Sequence, residues 1–280
     1  MTRVALLGPN GQVGRAIREI LPEVIPIGRD LVNMANPLSL LGFDWSGFDA
    51  IINCAAYTKV DQAETEPDLA RAVNSISPGI LAEKARGNGA ILIHFSTDYV
   101  FDGTQELHTE DERPNPLSVY GSTKHIGDVM ALQHTGTYDI RTSWVIGDGS
   151  NFARTILSLV QKGVAPSVVA DQYGRPTFAT ELARTVEHLL AERPKPGLYN
   201  LSNGGDVTTW YAIAQRVYEL AGASTDMVSP TDTDSFFKDK AHAPRPVHST
   251  FDLGKIGLTG FEPVNWEDAL ETYIGSELRG

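Results

Sequence analysis

Apolar residues in the first half of the chain fall into two alternating patterns. Residues 4–7, 24–27, 51–53 and 91–95 form short, nearly continuous apolar runs and read as strands. Between them, apolar positions recur every three or four residues. Residues 12–21 place Val13, Ile17, Ile20 and Leu21 on one helical face, and 68–86 carries a second helical pattern. Strands with no polar face, separated by helices, belong to a parallel sheet covered on both sides. Residues 97–117 break the pattern, with Asp102-Gly103 and Pro114-Asn115-Pro116 making them too rich in turn formers for regular structure. Long loops of this kind are often functional. A helix capped by Ser118 then runs to about residue 133. Past Thr142 the elements become isolated: helices near 152–161, 181–190 and 210–220, a strand at 198–201, a last helix after Trp266, and a proline-rich stretch at 243–247 that serves as a connector or a lid.

Composition narrows the class. The chain has 280 residues, 41% hydrophobic and 21% charged, in the range of an ordinary soluble globular protein. No apolar run approaches the ~20 residues of a membrane span, and the start lacks the basic and apolar regions of a secretory signal, so the expected location is the cytoplasm. A single cysteine, Cys54, excludes an intrachain disulfide and a cysteine-rich zinc site, and its apolar neighbours suggest a small buried residue. The formal charge of -12 argues against nucleic acid or an anionic membrane as partner. It does not forbid an anionic small ligand, because backbone amides can hold a phosphate on an acidic protein.

Gly8-Pro9-Asn10-Gly11-Gln12-Val13-Gly14 follows the first strand and opens the first helix. Glycines let the chain turn tightly and bring backbone N–H groups to a pyrophosphate resting on the helix N-terminus. The spacing alone carries little; the strand before it and the helix after it carry the reading, a dinucleotide site. The second strand ends at Gly28-Arg29-Asp30, where such folds meet the adenosine ribose. A carboxylate there favours a free 2′-hydroxyl and an arginine a 2′-phosphate. With Arg29 nearer the strand end, the reading leans to NADP(H) and keeps NAD(H) open. The expected architecture is an α/β, Rossmann-like doubly wound parallel sheet with a smaller C-terminal substrate-binding lobe. Residues 1–145 form the dinucleotide-binding domain, segments at about 165–200 return to it, and 146–280 are mainly the lobe.

Tyr120 and Lys124 stand at i and i+4 on one face of the helix that begins at Ser118. A fixed ammonium favours a phenolate, bringing a tyrosine nearer to working range as an acid–base group. The pair follows a hydroxyl-rich strand end, Ser96-Thr97. Together the glycine turn, Asn53-Cys-Ala-Ala-Tyr57-Thr58, Ser96-Thr97-Asp98-Tyr99-Val100-Phe101-Asp102-Gly103, Tyr120-Gly-Ser-Thr-Lys124 and Arg141-Thr-Ser-Trp144 resemble the extended short-chain dehydrogenases, and more narrowly the dTDP-4-dehydrorhamnose reductase family. The resemblance covers most of residues 3–203. It implies that Tyr120 donates a proton to a sugar ketone, that Thr97 hydrogen-bonds the same oxygen, and that Lys124 holds the nicotinamide ribose and lowers the tyrosine pKa. It also implies cofactor contacts from Ala55, Ala56, Tyr57 and Asn74. Thr97, Asp98, Tyr99, Trp144 and Gln172 are implied around a dTDP-sugar. The family often has another residue in place of Pro9, and the region after Asp226 matches poorly.

Other features enter more weakly. The seven histidines have no paired spacing for a metal site. Trp210, Tyr211, Val217 and Leu220 fall at helical spacing and read as core packing. Arg245, between Pro244 and Pro246, suits either a pyrophosphate grip or a plain surface position. The same residues also suit an epimerase or dehydratase of this superfamily, to which Asp98 after Thr97 is a partial match, or a non-catalytic dinucleotide-binding regulatory subunit. A homodimer is left open.

Overall fold

The computed structural model describes residues 3–238 and 240–279. Six parallel strands make the main sheet: β1 (Val4–Leu7), β2 (Ile25–Ile27), β3 (Ala50–Asn53), β4 (Ile91–Thr97), β5 (Thr137–Thr142) and β6 (Gly197–Asn200). Their spatial order is β2-β1-β3-β4-β5-β6. The chain therefore leaves β1 to one side and then reverses past it to the other. In open α/β sheets, ligands bind outside the carboxyl ends of the strands at such a reversal.

Helices cover both faces, as continuous apolar strands require. On one face α1 (Gln12–Ile20) and α5 (Ala179–Glu192) bury Ile17, Leu182 and Val186 against Leu6, Ile52, Ile93 and Ile140. On the other, α2 (67–88) and α3 (Val119–Ala131) bring Leu81, Ala82, Ala85 and Ala131 against Leu7, Ile51 and Leu92. α2 starts at Pro67, widens into a π-helical turn over Ala72–Ile76, resumes, and ends at Gly89 in the left-handed region. Such turns usually mark functional positions. No helix among the described residues is long and apolar enough to cross a membrane.

The remaining elements build a smaller mixed region. α4 (Phe152–Gln161), α6 (Trp210–Leu220) and α7 (Trp266–Glu277) share a core of Ile156, Leu157, Ile213, Val217, Leu270 and Ile274. Ser167–Val169 pairs with Ser229–Thr231 and Tyr173–Gly174 with Thr208–Thr209, both within this region. α5 and β6 pack back onto the main sheet, as do Ile256 and Phe261 further on.

β5 is the one sheet strand that apolar patterning passes over. All six of its residues are buried, yet Thr137, Asp139 and Arg141 alternate with Tyr138 and Ile140. Asp139 and Arg141 face a buried group of charges instead of aliphatic core, while the Thr137 hydroxyl donates to the Ala131 carbonyl at the end of α3.

Candidate active site

The glycine turn occupies the carboxyl end of β1, at the reversal point. Gly8 has φ +70, and a methyl there would press on the backbone of Cys54 and Ala55 at the end of β3. Only glycine lets the two strand ends come this close. Gly14 packs directly on the Gly8 carbonyl and Pro9, which seats α1 on the turn. Gly11 caps α1 with no side-chain hydrogen bond and no acid in the first turn. The positive end of the helix is thus left for an external anion, which fits a phosphate. Asn10 is exposed beside it; Val13 is half-buried against the core. Gln12 reaches away from the turn to the Ser150 carbonyl, 3.3 Å off. Arg29 and Asp30 are exposed just past β2, whose last residue, Ile27, pairs with Leu7. The two lie on the same carboxyl edge as the turn.

Ala55, Ala56 and Tyr57 follow β3 on that edge. Asn74, carried on the π-helical turn of α2, clamps them: its Oδ1 accepts from the Tyr57 N–H at 2.8 Å and its Nδ2 donates to the Tyr57 carbonyl at 3.0 Å. With both ends of its amide so committed, Asn74 holds the loop that follows β3 from behind. Cys54 is half-buried, and burial pushes its thiol up, which leaves it unreactive.

Thr97 is the last residue of β4 and caps the turn Asp98–Val100, its Oγ1 accepting from the Tyr99 N–H at 3.3 Å and donating to Asp98 Oδ1 at 3.0 Å. Asp98 is buried and takes a second hydrogen bond from Ser249 Oγ at 2.5 Å. Burial raises its carboxyl to about 6, against the lowering effect of those two hydroxyls. Ser118 caps α3 by accepting from the Gly121 N–H at 3.1 Å, so the first turn of α3 projects Tyr120. Gly121 sits on the Tyr99 carbonyl, and Gly127 on that of Asn74. Two glycines therefore press α3 against the 98–100 turn and against α2. The Tyr99 and Tyr120 rings meet edge to face at 5.4 Å.

The electrostatics differ from expectation at one point. Burial pushes Tyr120 up to about 12, with hydrogen bonding from Thr97 as the opposing influence, and Lys124 is not among the groups that lower it. The reason is where the ammonium points. Lys124 is 2% exposed, donates to the Phe95 carbonyl at 2.5 Å and stands 3.4 Å from His94 Nε2. Around it lie Asp128 on α3 and Asp139 and Arg141 on β5, each at most 3% exposed, with Arg141 Nε 3.5 Å from Asp128 Oδ2. Burial lowers Lys124 while Asp128 and Asp139 pull it back up. His94, held by Asn53 at 3.0 Å, is driven well below its ordinary range by burial and by the neighbouring ammonium. One ligand atom each from His94, Asp128 and Asp139 falls within 4.8 Å of the others, a grouping that residue spacing does not reveal.

On the lobe side, Trp144 follows β5 with φ +48, a strained backbone for a large residue. Its ring stacks on Trp210 at 4.0 Å, and Trp210 Nε1 donates to Gln172 Oε1 at 3.2 Å. Gln172 also donates to Thr233 Oγ1 at 3.0 Å. Trp210 packs on the lobe core as its spacing implied, is half-buried, and its ring also joins Trp144 and Gln172. Arg245 closes the opposite side. Its Nη2 donates to Asp61 Oδ2 at 3.0 Å, its guanidinium lies 4.4 Å over the Phe237 ring, and Asp61 accepts from the Ala243 N–H at 2.9 Å. Nothing in sequence spacing pairs Asp61 with Arg245, or Asp98 with Ser249.

The chain is similar to known proteins over nearly its whole length. The family model described as RmlD substrate binding domain matches residues 2–278. The chain is 35% identical to the spore coat polysaccharide biosynthesis protein SpsK of Bacillus subtilis (strain 168), over 98% of this chain and 97% of that protein. It is 32% identical to a dTDP-4-dehydrorhamnose reductase of Mycolicibacterium smegmatis, over 98% and 85% of the two. A crystal structure of dTDP-4-dehydrorhamnose reductase from Bacillus anthracis str. Ames in complex with NADP superimposes with a TM-score of 0.91 at 34% identity, covering 99% of this chain and 100% of that one.

Proposed function

The chain belongs to the RmlD substrate binding domain family, and from that membership we propose that it reduces the C4 ketone of dTDP-4-dehydro-L-rhamnose to dTDP-L-rhamnose with a nicotinamide hydride, NADP(H) ahead of NAD(H). The membership makes it one of a family of NAD(P)-dependent dTDP-sugar reductases; the particular sugar, the cofactor preference and the residue roles are our reading. The observation that carries it is that Thr97 and Tyr120 stand within hydrogen-bonding influence of each other on the carboxyl edge that also holds the glycine turn, with Lys124 one helical turn behind them.

A dinucleotide seated on Gly8, Gly11 and Gly14, with Arg29 or Asp30 at its ribose end, supplies the hydride. The chain's own residues handle the oxygen. As negative charge builds there, Thr97 turns its one hydroxyl proton from Asp98 to that oxygen and Tyr120 donates its own proton. A phenol held at about 12 keeps that proton at neutral pH and gives it up only to a stronger base such as a nascent alkoxide. Lys124, whose ammonium is turned to the Phe95 carbonyl here, would hold the nicotinamide ribose, and it steadies the phenolate once it swings back toward Tyr120. The stacked Trp144 and Trp210, with Gln172 and Tyr99, shape the sugar-nucleotide side.

The test is NADPH and NADH oxidation with dTDP-4-dehydro-L-rhamnose, for the wild type and Tyr120→Phe. Wild-type turnover, a collapse in Tyr120→Phe of 100-fold or more (roughly the weight of a positioned acid) and little change in NADPH affinity are expected. An active Phe variant would sink the assignment of Tyr120. Product formation at constant cofactor absorbance would point to an epimerase instead.

A further inference from the structure

The space between α3 and the β4–β5 pair is filled by charge where a fold of this kind puts aliphatic side chains. Lys124 and Asp128 enter it from α3, His94 and Ser96 from β4, Asp139 and Arg141 from β5. His125, on α3, faces Asp128 from one side, and Asn53 closes the β3 side. Asp139 is the odd member. It lies directly opposite His94 in the β4–β5 ladder and is completely buried, and neither carboxyl oxygen has a hydrogen-bond partner. One oxygen of Asp128 is also unpartnered, as are Arg141 Nη1 and Ser96 Oγ.

Two carboxylates this near each other, one with no donor, do not both ionise readily; one proton shared between them relieves the repulsion. Lys124 and Arg141 already supply the positive charge that a metal on His94, Asp128 and Asp139 would bring. A proton fits the charge count better than a divalent ion.

We propose that Asp139 is a charge-holding residue for the site: as pH rises it releases its proton to solvent base ahead of Lys124, and the carboxylate that forms keeps the Lys124 ammonium charged into the alkaline range. Asp139 touches no reacting atom and acts through Lys124, so it is a positioning residue. The idea rests on the role given to Lys124 above. It explains why a carboxyl without partners stands behind a buried lysine whose own burial works against its charge.

The experiment compares the pH dependence of kcat for wild type, Asp139→Asn and Asp139→Glu. With the amide in place, Lys124 is the first group to lose a proton, and the alkaline limb moves down by about 1–3 pH units, the range a close opposite charge imposes on a buried group. Asp139→Glu keeps a carboxyl and restores the limb. A purely structural role would lower Tm without moving the limb. An Asp139→Asn limb superimposable on wild type overturns the proposal. Infrared difference spectra across the same pH range read the proton directly, without turnover. A protonated-carboxyl C=O band that titrates in the wild type, is absent in Asp139→Asn and is displaced in Asp139→Glu supports the proposal; no such band at any pH at which the protein is folded overturns it. Because this arm needs no substrate, failure of the assigned reaction leaves it decisive.

Discussion

Gly121→Ala isolates what the contact between α3 and the 98–100 turn does. The added methyl would lie closer than 3.0 Å to the Tyr99 carbonyl oxygen, with Pro116 Cβ at 3.1 Å, and the nearest obstacle is backbone that cannot rotate away. To restore ordinary contact, α3 must back off by about 1 Å, because interiors are packed without slack. That displacement carries Tyr120 and Lys124 away from Thr97. A shift of about 1 Å in a reacting group can cost roughly 100-fold in rate, while overpacking costs about 1–3 kcal/mol of stability. The control is Gly87→Ala on α2, which has a helical backbone and nothing within 4 Å of the new methyl. It should be stabilised by about 0.5–1 kcal/mol with kcat unchanged. Steady-state kinetics and thermal melts on both variants test this. If Gly121→Ala keeps wild-type kcat, the glycine contact does not set the distance between Thr97 and Tyr120, and the geometric argument fails.

Three further outcomes follow from the geometry. Trp210→Ala removes the stack on Trp144, worth about 0.5–1.5 kcal/mol, and should raise the KM for a sugar nucleotide about 3- to 10-fold with a smaller effect on kcat; an unchanged KM removes the pair from the substrate side. Asp98, raised from 3.8 to about 6, is better protonated in the fold than in the unfolded chain, so its destabilising effect grows as pH rises from about 4 to about 6 and is full above that. Asp98→Asn should therefore gain up to about 3 kcal/mol at pH 8, less whatever hydrogen bonding is lost, and the gain should shrink at pH 4; melts that shift equally at every pH contradict this. Asp61→Asn loosens the hold on Arg245, an ion pair worth about 0.2–1 kcal/mol at this exposure, and limited proteolysis in the 240–247 stretch should speed up about 2- to 5-fold, whereas an unaltered cleavage rate means the pair does not fasten it.

How much of this could be read from the chain alone depends on the range of the interaction. β1, β3 and the 91–95 part of β4 announce themselves because each is largely buried and mostly apolar. The glycine turn is legible for a similar reason, since its geometry is local. β5 escapes notice because two of its six residues, Asp139 and Arg141, serve the charge cluster and two more, Thr137 and Thr142, are polar. The π-helical turn that aims Asn74 leaves no mark on apolar spacing. Trp210 packs on the lobe core as its helical spacing says, but that spacing does not show that its ring also meets Trp144 and Gln172. Ser249 and Asp98 are 151 residues apart and no local rule joins them. The expected lowering of Tyr120 by Lys124 assumed that i and i+4 neighbours face each other across open helix surface. Burial and the Phe95 carbonyl turn the lysine inward instead.

The strand order has one more effect. The glycine turn ends β1 and Thr97 ends β4, with only β3 between them. Neighbouring strands lie about 4.8 Å apart, so the anchor and the hydroxyl are separated by two steps, about 10 Å, along one edge. That interval is set by backbone hydrogen bonds and no loop can alter it. On the proposed assignment the sheet works as a ruler: it fixes the length a ligand must have to be held at one mark and react at the other, so exchange of lobe loops would change which sugar is admitted while leaving the reach of the cofactor alone.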